Sequence, residues 1–356
     1  MTDTEHMTLQ MILNELNDDL ESSNDTINIS RIDSKYSLAD EIKLPCPKEL
    51  QPKYSVLHIN IQGLGSSFSK LKLMLEKMNG NGICFDFILL CETFLKTTPN
   101  RNEELYNLNG YHLITRNRDS KNCGGLAIYI KNNFSYNVKN DLSEYIEGEF
   151  ESLVVEVKTR SKPLILSEVY RVPNTSESLS IERYRKLVEN FKDAKYENIL
   201  IGTDQNFDFL RINEHNKTSE LFNIFITNSL IPLITRPTRV TDNTATLIDN
   251  IYTTLETNEQ VYSGIILTQT LSDHYPVFSF IGVSPKIKTK PLILENRDFS
   301  ENNIRNLQNA LRGKDWNYLN DLDTEEAFNS FTSSLNELID EKNTYKICNN
   351  PRKMGY

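Results

Sequence analysis

The sequence predicts an α/β fold in which two β-sheets pack together as a sandwich flanked by helices. Short apolar runs rich in β-branched residues recur through the middle of the 356-residue chain, and segments with helical apolar spacing lie between them. The connections between these runs vary too much in length for a regular βαβ repeat, so a sandwich fits better than a doubly wound sheet. With 38% hydrophobic and 25% charged residues, the composition is that of a globular protein.

Eight apolar runs are predicted as strands, and two of them are expected to pair as a hairpin (153–157 with 164–169). The strands are predicted at 56–61, 85–91, 126–130, 153–157, 164–169, 199–202, 247–252 and 277–280. Helices are predicted at 71–78, 181–191 and 221–228, and again within 298–340. No stretch of about 18 apolar residues occurs, so we expect no membrane span.

Three regions differ in composition. Residues 1–52 are acidic, with a net charge of -7 over the first fifty, and we expect a disordered leader there. Residues 53–282 hold the predicted strands and form the expected catalytic domain. Residues 283–356 begin with a Pro/Lys linker and continue as a helical segment that contains the only tryptophan, Trp316. The net charge after residue 50 is only -3, so bulk charge neither favours nor excludes a nucleic-acid substrate.

The cysteines and the N-terminus indicate the compartment. The five cysteines form no CxxC pair and are odd in number, so neither a disulfide framework nor a zinc site is expected. The N-terminus is acidic and lacks the basic start and apolar core of a secretory signal. We therefore expect a protein that is not secreted and resides in a reducing compartment, the nucleus or the cytoplasm.

Polar residues stand at the ends of several predicted strands, where they must be either satisfied or functional. Asn60 lies in the first strand, Glu92 directly follows the second, and Asp204 and Asn206 follow the strand at 199–202. A strand-end carboxylate suits a hard cation such as Mg²⁺. Each residue also has an ordinary explanation: a satisfied core asparagine, an exposed glutamate, or an Asx-rich turn.

Asp249 lies inside an apolar run, and an aspartate in that setting needs a partner. We expect this partner to be His274, at the end of Ser272-Asp273-His274. A histidine is a suitable base near neutral pH, and a carboxylate on its second ring nitrogen fixes its tautomer. Among the five histidines, this is the one in a strand-end motif with an acidic neighbour.

The order of these residues is more informative than any one of them. In sequence come Asn60, Glu92, Gly124-Gly125, Tyr170 with Pro173, Asp204 with Asn206, Asp249, and Ser272-Asp273-His274. Over about residues 54–282 this order resembles the endonuclease/exonuclease/phosphatase superfamily, the group of deoxyribonuclease I and the apurinic endonucleases.

Five motifs are similar to the endonuclease domain of non-LTR (LINE-type) retrotransposon proteins in particular. They are Cys91-Glu92-Thr93, Gly124-Gly125-Leu126-Ala127-Ile128-Tyr129, Val169-Tyr170-Arg171-Val172-Pro173, Thr235-Arg236-Pro237-Thr238-Arg239 and Ser272-Asp273-His274-Tyr275-Pro276. The helical tail resembles the segment that precedes the reverse transcriptase (RNA-directed DNA polymerase) in those proteins, and no polymerase follows it in this chain.

The resemblance implies a four-layered sandwich of two mixed sheets, deoxyribonuclease I-like, that hydrolyses phosphodiesters with Mg²⁺, or with Mn²⁺ as the alternative ion, and takes DNA as its substrate. It assigns metal binding to Glu92, with Asn60 nearby and Asp273 as a further metal-side carboxylate. Asp249 would orient His274 as the base that activates water, and Asp204 would assist the nucleophile. Asn206 and Tyr170 would hold phosphate oxygens. This division agrees with the charge that gathers on the oxygens of an attacked phosphodiester.

The sequence departs from the family pattern at two places. Gln62 stands where many members carry an aspartate near the metal, which leaves more of the metal binding to Glu92. Thr203 and Gln205 replace residues around Asp204 and Asn206. Residues 66–68 and 236–239 are candidate DNA-facing loops, with ordinary solvated surface as the alternative. Two alternatives to a DNA-nicking enzyme stay open: another phosphodiesterase of the superfamily, and a folded but inactive retroelement remnant that acts as a binding module.

Overall fold

The computed structural model describes residues 34–42, 52–97, 103–119, 123–159, 162–255, 260–268, 271–283, 295–297, 301–342 and 345–347. The chain divides into two compact units, Met1–Thr289 and Lys290–Tyr356. In the described part of the chain, no helix has the length and apolar character needed to cross a membrane.

Among the described residues of the first unit, the chain forms sixteen strands. They are β1 (Lys35–Ser37), β2 (Tyr54–Asn60), β3 (Phe87–Cys91), β4 (Tyr111–Arg116), β5 (Leu126–Lys131), β6 (Ser135–Val138), β7 (Tyr145–Ile146), β8 (Phe150–Lys158), β9 (Leu164–Arg171), β10 (Asn198–Asp204), β11 (Ile231–Pro232), β12 (Arg239–Val240), β13 (Ala245–Thr246), β14 (Asp249–Thr253), β15 (Gln260–Ile266) and β16 (Val277–Val283). Its helices are α1 (Leu64–Gly80), α2 (Glu177–Asp193) and α3 (Asn216–Thr227), with 3-10 turns at Glu103–Tyr106, Asn140–Leu142 and Phe209–Arg211.

The strands form two mixed sheets. The first has the order β1-β15-β16-β2-β3-β5-β4, in which β2 and β3 are parallel and β16 runs antiparallel to β2. The second has the order β11-β14-β10-β9-β8-β6, with β7 paired to β8; here β9 and β10 are parallel and β14 is antiparallel to β10. The short strands β12 and β13 pair with each other.

The sheets pack face to face, and helices cover their outer faces. β2 packs against β10 and β14 across the sandwich. On the first sheet, α1 buries Leu64, Leu71, Met74 and Met78, which recur at helical spacing. On the second sheet, the ring of Tyr184 in α2 packs edge-on against Phe150. The predicted four-layered sandwich of two mixed sheets is confirmed.

The central strands are the predicted ones, because their apolar runs are buried on both faces; every residue of β2, β3 and β9 is buried. The predicted hairpin is the antiparallel pair β8 and β9. Strands β4 and β15 were not predicted. Two alternate residues of β4, Tyr111 and Leu113, are only partly buried, and β15 contains the polar residues Gln260 and Ser263 together with Gly264.

Part of the leader expected over 1–52 is structured. Residues 1–33 and 43–51 lie outside the described residues, but β1 pairs in parallel with β15 at the edge of the first sheet. Tyr36, Leu38 and Ile42 are buried there, and Tyr36 donates its hydroxyl hydrogen to the carbonyl oxygen of Pro237 at 2.9 Å. This apolar burial explains why residues 34–42 belong to the fold.

The second unit contains the helices predicted within 298–340. They are α4 (Glu301–Gly313) and α5 (Thr324–Lys342), joined by a 3-10 turn at Asn317–Asp321. Strands β17 (Glu295–Arg297) and β18 (Tyr345–Ile347) pair antiparallel. The Trp316 ring packs against Phe331 with ring centroids 5.1 Å apart.

Candidate active site

Strand register gathers the predicted residues at one edge of the sandwich. Asn60 is the last residue of β2 and pairs with the last residue of β3, directly before Glu92. Asp204, the last residue of β10, pairs with Tyr170 on β9 and with Asp249, the first residue of β14. Because the parallel strands end at the same edge, five of the predicted side chains start from neighbouring backbone positions.

The amide of Asn60 joins the two sheets. Its Nδ2 atom donates to Glu92 Oε1 at 2.7 Å and to Asp204 Oδ2 at 2.9 Å. Asn60 is 1% exposed, and its Oδ1 atom accepts from the backbone amide of Gln62. A side chain with two donor hydrogens is needed here, because each neighbouring carboxylate takes one of them.

Glu92 sits on a strained backbone that is held from behind. Its φ of 53° lies in the left-handed region, which a glutamate rarely adopts. The next amide, that of Thr93, donates to the carbonyl oxygen of Gly125, whose own amide donates to Glu151 Oε2 at 2.9 Å. Glu151 is fully buried and also pairs with Arg118. The Gly124-Gly125 motif therefore fixes the segment that carries Glu92.

Asn206 lies on a turn held by Arg171. Its backbone has a φ of 50°, and its Nδ2 atom donates to the carbonyl oxygen of Arg171 at 2.8 Å. In return, Arg171 Nη1 donates to the carbonyl oxygen of Asn206 at 2.8 Å, and its guanidinium lies 4.4 Å from the ring centroid of Phe207. The backbone amide of Asn206 donates to Asp204 Oδ1 at 3.2 Å. The turn thus links Asp204 and Asn206 rigidly.

The expected contact between Asp249 and His274 is present. His274 Nδ1 lies 3.1 Å from Asp249 Oδ1 and 3.0 Å from Oδ2, and both side chains are buried. Since a carboxylate only accepts, Nδ1 carries a hydrogen and Nε2 is the atom that can take up a proton. Thr238 donates its hydroxyl hydrogen to Asp249 Oδ2 at 2.6 Å, so the carboxylate is held from two sides.

Asp273 is the most exposed of the predicted residues, at 40%. Arg239 contacts Asp273 Oδ2 through Nε at 2.8 Å and Nη2 at 2.6 Å, and Gln62 donates to Oδ1. Its carboxylate oxygens therefore already have partners on the protein. Burial alone would raise the pKa of Asp273, but the hydrogen bond from Arg239 and the charge of His274 hold it below its usual range.

The carboxylates perturb one another. Burial and, after it, the charge of Asp249 raise the pKa of Asp204 to about 7, against the opposing effects of His274 and Asn60. Burial, followed by the charges of Glu92 and Asp204, raises the pKa of Tyr170 far above its usual range, so that side chain is a neutral hydrogen-bonding group.

In the pair formed by Asp249 and His274, by contrast, each side chain is stabilised in its charged form. Burial alone would lower the pKa of His274, but the charge and hydrogen bond of Asp249 outweigh it and raise that pKa to about 9. Burial alone would raise the pKa of Asp249, and the charge of His274 holds it well below its usual range. The two groups therefore form an ion pair when no cation is near.

The donor chemistry fits a hard divalent cation. Glu92 and Asp204 contribute carboxylate oxygens that converge on the amide nitrogen of Asn60, and oxygen ligands are those that Mg²⁺ prefers. The ligand-type atoms of Asp204, Asp249 and His274 lie within 4.8 Å of one another. Asp249 already accepts hydrogen bonds from Thr238 and His274.

Sequence reasoning missed several residues of this site. Thr238 and Arg236 belong to a segment expected to face DNA, yet both are buried, and in residues 236–239 Arg239 is the partly exposed cation. Arg171 and Glu151 were also missed. A charged residue inside an apolar strand is the signal that could have found Arg171 and Glu151, as it found Asp249.

Known structures share this architecture. AP endonuclease LMAP from Leishmania major aligns over 69% of this chain and 98% of its own, at 14% identity and a TM-score of 0.50. The endonuclease domain of TRAS1, a telomere-specific non-LTR retrotransposon, aligns over 65% of this chain and 100% of its own, at 16% identity and a TM-score of 0.48. An endonuclease/exonuclease/phosphatase family protein from Bacteroides thetaiotaomicron aligns over 65% and 95%, at 16% identity and 0.46.

The chain has the endonuclease/exonuclease/phosphatase fold. This statement rests on the LMAP alignment and the sheet topology, and at such identities it concerns the fold alone. No protein-family profile and no curated protein sequence matches the chain. Within this endonuclease/exonuclease/phosphatase fold, the polar site lies where the strands β2, β3, β9 and β10 end.

Proposed function

We propose that this chain is a divalent-metal-dependent phosphodiesterase that nicks DNA, with Mg²⁺ as its ion and Mn²⁺ as an alternative. One observation carries the proposal: the buried Asp249–His274 pair lies beside the Asn60, Glu92 and Asp204 cluster at the edge of the sandwich. An imidazole held in one orientation can take a proton from water, and nearby oxygen ligands can bind a metal ion; together they can activate water for attack on phosphorus.

His274 acts as the general base in this proposal. Asp249 holds Nδ1–H, so Nε2 of the neutral ring takes the proton from a water molecule as the water oxygen forms its bond to phosphorus. A cation held at Glu92 would favour this neutral ring, because it would repel the charge of the imidazolium. The bond from phosphorus to the leaving oxygen breaks on the opposite side, and that oxygen takes a proton from solvent. Thr238 keeps Asp249 in place by donating to Oδ2.

Asp204, Asn206 and Tyr170 act on the water and the phosphate. Asp204 is tied to Asn60 and to the Asn206 backbone, so its carboxylate is positioned to orient the attacking water. The Asn206 amide and the neutral Tyr170 hydroxyl supply hydrogens to phosphate oxygens. Their contribution is positional, because each is held by a strand end or a rigid turn.

Glu92, with Asn60 and Asp273, would hold the divalent ion. When bound, this ion neutralises the negative charge that grows on the phosphate oxygens. The Thr93–Gly125 hydrogen bond keeps the Glu92 segment in place for this role. Asp273 would contribute to metal binding with a carboxylate that also accepts hydrogen bonds from Arg239 and Gln62.

DNA is proposed as the substrate, and a non-LTR retroelement as the type of protein, because of the sequence motifs. Cys91-Glu92-Thr93 and Thr235-Arg236-Pro237-Thr238-Arg239 are similar to those of LINE-type endonuclease domains. The fold it shares with an AP endonuclease is compatible with a DNA substrate. The net charge of -10 gives no independent support for nucleic acid.

The test uses the full chain on supercoiled plasmid with Mg²⁺, and on bis(p-nitrophenyl) phosphate as a small phosphodiester. We expect the wild type to nick plasmid, EDTA to abolish nicking, and His274→Ala to lower the rate by about 100- to 10,000-fold, the usual contribution of a general base. His112→Ala is the matched control, since that histidine is exposed on β4.

The outcomes distinguish the DNA endonuclease from the two alternatives, another phosphodiesterase and an inactive binding module. No nicking by the wild type, or equal nicking by His274→Ala, contradicts the endonuclease proposal. Cleavage of the small phosphodiester without plasmid nicking would favour another phosphodiesterase of the superfamily. Plasmid binding without cleavage of either substrate would favour the inactive binding module.

A further inference from the structure

A second histidine, His58, lies behind the catalytic pair. It is on β2, two residues before Asn60, and is 1% exposed. Its side chain crosses the space between the sheets and meets a carboxylate at each ring nitrogen. Nδ1 lies 3.1 Å from Glu168 Oε1 and 3.2 Å from Oε2, and Nε2 lies 3.6 Å from Asp249 Oδ1.

The fold makes room for Glu168 and His58. Glu168 is on β9, two residues before Tyr170, and is fully buried. Opposite it on β10 stands Gly202; a Cβ atom there would lie 2.7 Å from Glu168 Oε2 and 3.1 Å from His58 Nδ1. Because glycine leaves that space open, the polar pair fits between the two sheets.

Stability is a weak explanation for this pair. Taking two charged groups out of water costs free energy that their attraction repays only in part, and a buried ion pair can often be replaced by apolar residues without loss of stability. On the same faces of these strands, two residues before His58 and Glu168, the buried side chains Val56 and Leu166 show that the space between the sheets accepts aliphatic side chains. The pair therefore calls for a role other than packing.

Its geometry indicates that role. The Asp249 carboxylate accepts hydrogen bonds from Thr238 and His274. His58 Nε2 approaches the same carboxylate from the opposite sheet. The 3.6 Å separation is longer than a hydrogen bond but close enough for a strong charge interaction in a buried site. Glu168 in turn fixes the plane of the His58 ring. The contacts run without a gap from Glu168 through His58 and Asp249 to His274.

We propose that Glu168 and His58 are positioning residues, which hold Asp249 and through it orient His274 for catalysis. This inference deepens the proposed function and rests on it for its kinetic consequence. Its structural consequence, the orientation of the His274 ring, can be observed separately from activity. Neither residue touches the phosphate or the water in this scheme; both act through Asp249.

The first experiment compares Glu168→Ala with Glu168→Gln in the full chain. Glutamine keeps an oxygen that accepts from His58 Nδ1, so we expect kcat within about threefold of wild type, whereas alanine removes the acceptor and should lower kcat at least tenfold. KM for the small phosphodiester should stay within twofold in both variants. A wild-type kcat in Glu168→Ala, or an equal loss in both variants, would overturn the inference.

The second experiment replaces both partners, His58→Leu with Glu168→Leu. Leaving neither charge unpaired, this variant should keep the wild-type melting temperature, yet kcat should fall at least tenfold. The matched control is Ser263→Ala with Ser279→Ala, which removes a buried hydroxyl pair 2.9 Å apart on the same sheet and should leave kcat unchanged. A folded double-leucine variant with wild-type kcat would refute the positioning role.

Nuclear magnetic resonance separates this inference from the proposed function. In the wild type, the His274 Nδ1 hydrogen held by Asp249 should give a downfield ring N–H signal, and in the double-leucine variant this signal should shift upfield or exchange away. That result would stand even if the wild type cleaved no phosphodiester. An unchanged signal in a folded double-leucine variant would overturn the inference whatever the activity.

Discussion

Asp249 lies directly opposite Asp204 in the antiparallel pairing of β10 and β14, and His274 contacts both oxygens of Asp249. Two buried carboxylates side by side cannot both ionise freely. The histidine resolves this conflict by lowering the pKa of Asp249, while burial and the charge of Asp249 raise the pKa of Asp204 to about 7. One register pair thus produces two carboxylates with different protonation behaviour.

The Asp249 charge sets the titration of His274. Without metal, we expect the His274 ring to titrate with a pKa of about 9 in the wild type, because the stabilised form is the imidazolium. In Asp249→Asn this charge is absent, so the pKa should fall, and kcat should drop about 100-fold or more as the ring loses its orientation. Proton resonances of the ring, followed from pH 5 to 10 in EDTA, measure the shift, and His112 is the internal control. Equal His274 titration in both proteins would contradict the prediction.

The ionised carboxylate of Asp204 should lower the free energy of unfolding at a pH above about 7, although the activity needs this residue. Its folded-state pKa is raised, so it contributes stability fully at a pH below its ordinary value near 3.8, and that contribution is lost as pH rises through about 7. Asp204→Asn carries no such penalty and should melt at least about 2 °C higher at pH 8 while being inactive.

The difference between Asp204→Asn and wild type should shrink toward zero near pH 4, where the wild-type carboxyl is protonated. Differential scanning calorimetry at pH 4, 6 and 8 provides the comparison, and Asp242→Asn, on an exposed turn, is the control. A wild type that is more stable than Asp204→Asn at pH 8 would be contrary to the expectation.

Gly202 is expected to tolerate no side chain. A Cβ atom would lie 2.6 Å from Leu89 Cδ1 as well as against Glu168, in the tightly packed space between the sheets. Gly202→Ala should therefore destabilise the fold by about 1–3 kcal/mol, the usual cost of overpacking. Urea denaturation measures it. Gly80→Ala, where nothing lies within 4 Å of the added atom, should be neutral or stabilising. Equal urea midpoints for Gly202→Ala and Gly80→Ala would contradict the prediction, because they would show that the side chains between the sheets move to accommodate the added methyl group.

Gly125 should govern the affinity for the metal. Its φ is +84°, and a Cβ atom would lie 2.8 Å from Thr93 Oγ1, next to the segment that carries Glu92. Gly125→Ala should therefore raise the Mg²⁺ concentration that gives half-maximal activity, by about tenfold if the displaced segment acts as a second-sphere support does. Gly110→Ala has a similar φ of +87° with nothing within 4 Å, so it carries the backbone strain without the displacement. The same Mg²⁺ dependence in both variants would exclude this role.

Much of the fold was predictable from local signals. The apolar runs at 56–61, 85–91 and 199–202 became β2, β3 and β10 because strands buried on both faces are apolar throughout. Strands β4 and β15 were not, since edge or interrupted strands carry polar residues that blur the pattern. The segment 34–42 looked like part of an acidic leader, and only its contact with β15 makes it a strand.

The sequence by itself determined the identities and the order of the site residues, from Asn60 to His274, and therefore the chemistry that they can support. The tertiary structure decided which other side chains these residues contact. Pairing register placed Asp204 beside Asp249. Sheet packing brought His58 to the Asp249 carboxylate and also to Glu168, which lies 110 residues after His58 in the chain. Such contacts depend on how two sheets are stacked, and local sequence carries no signal of which buried residue will face another across that interface.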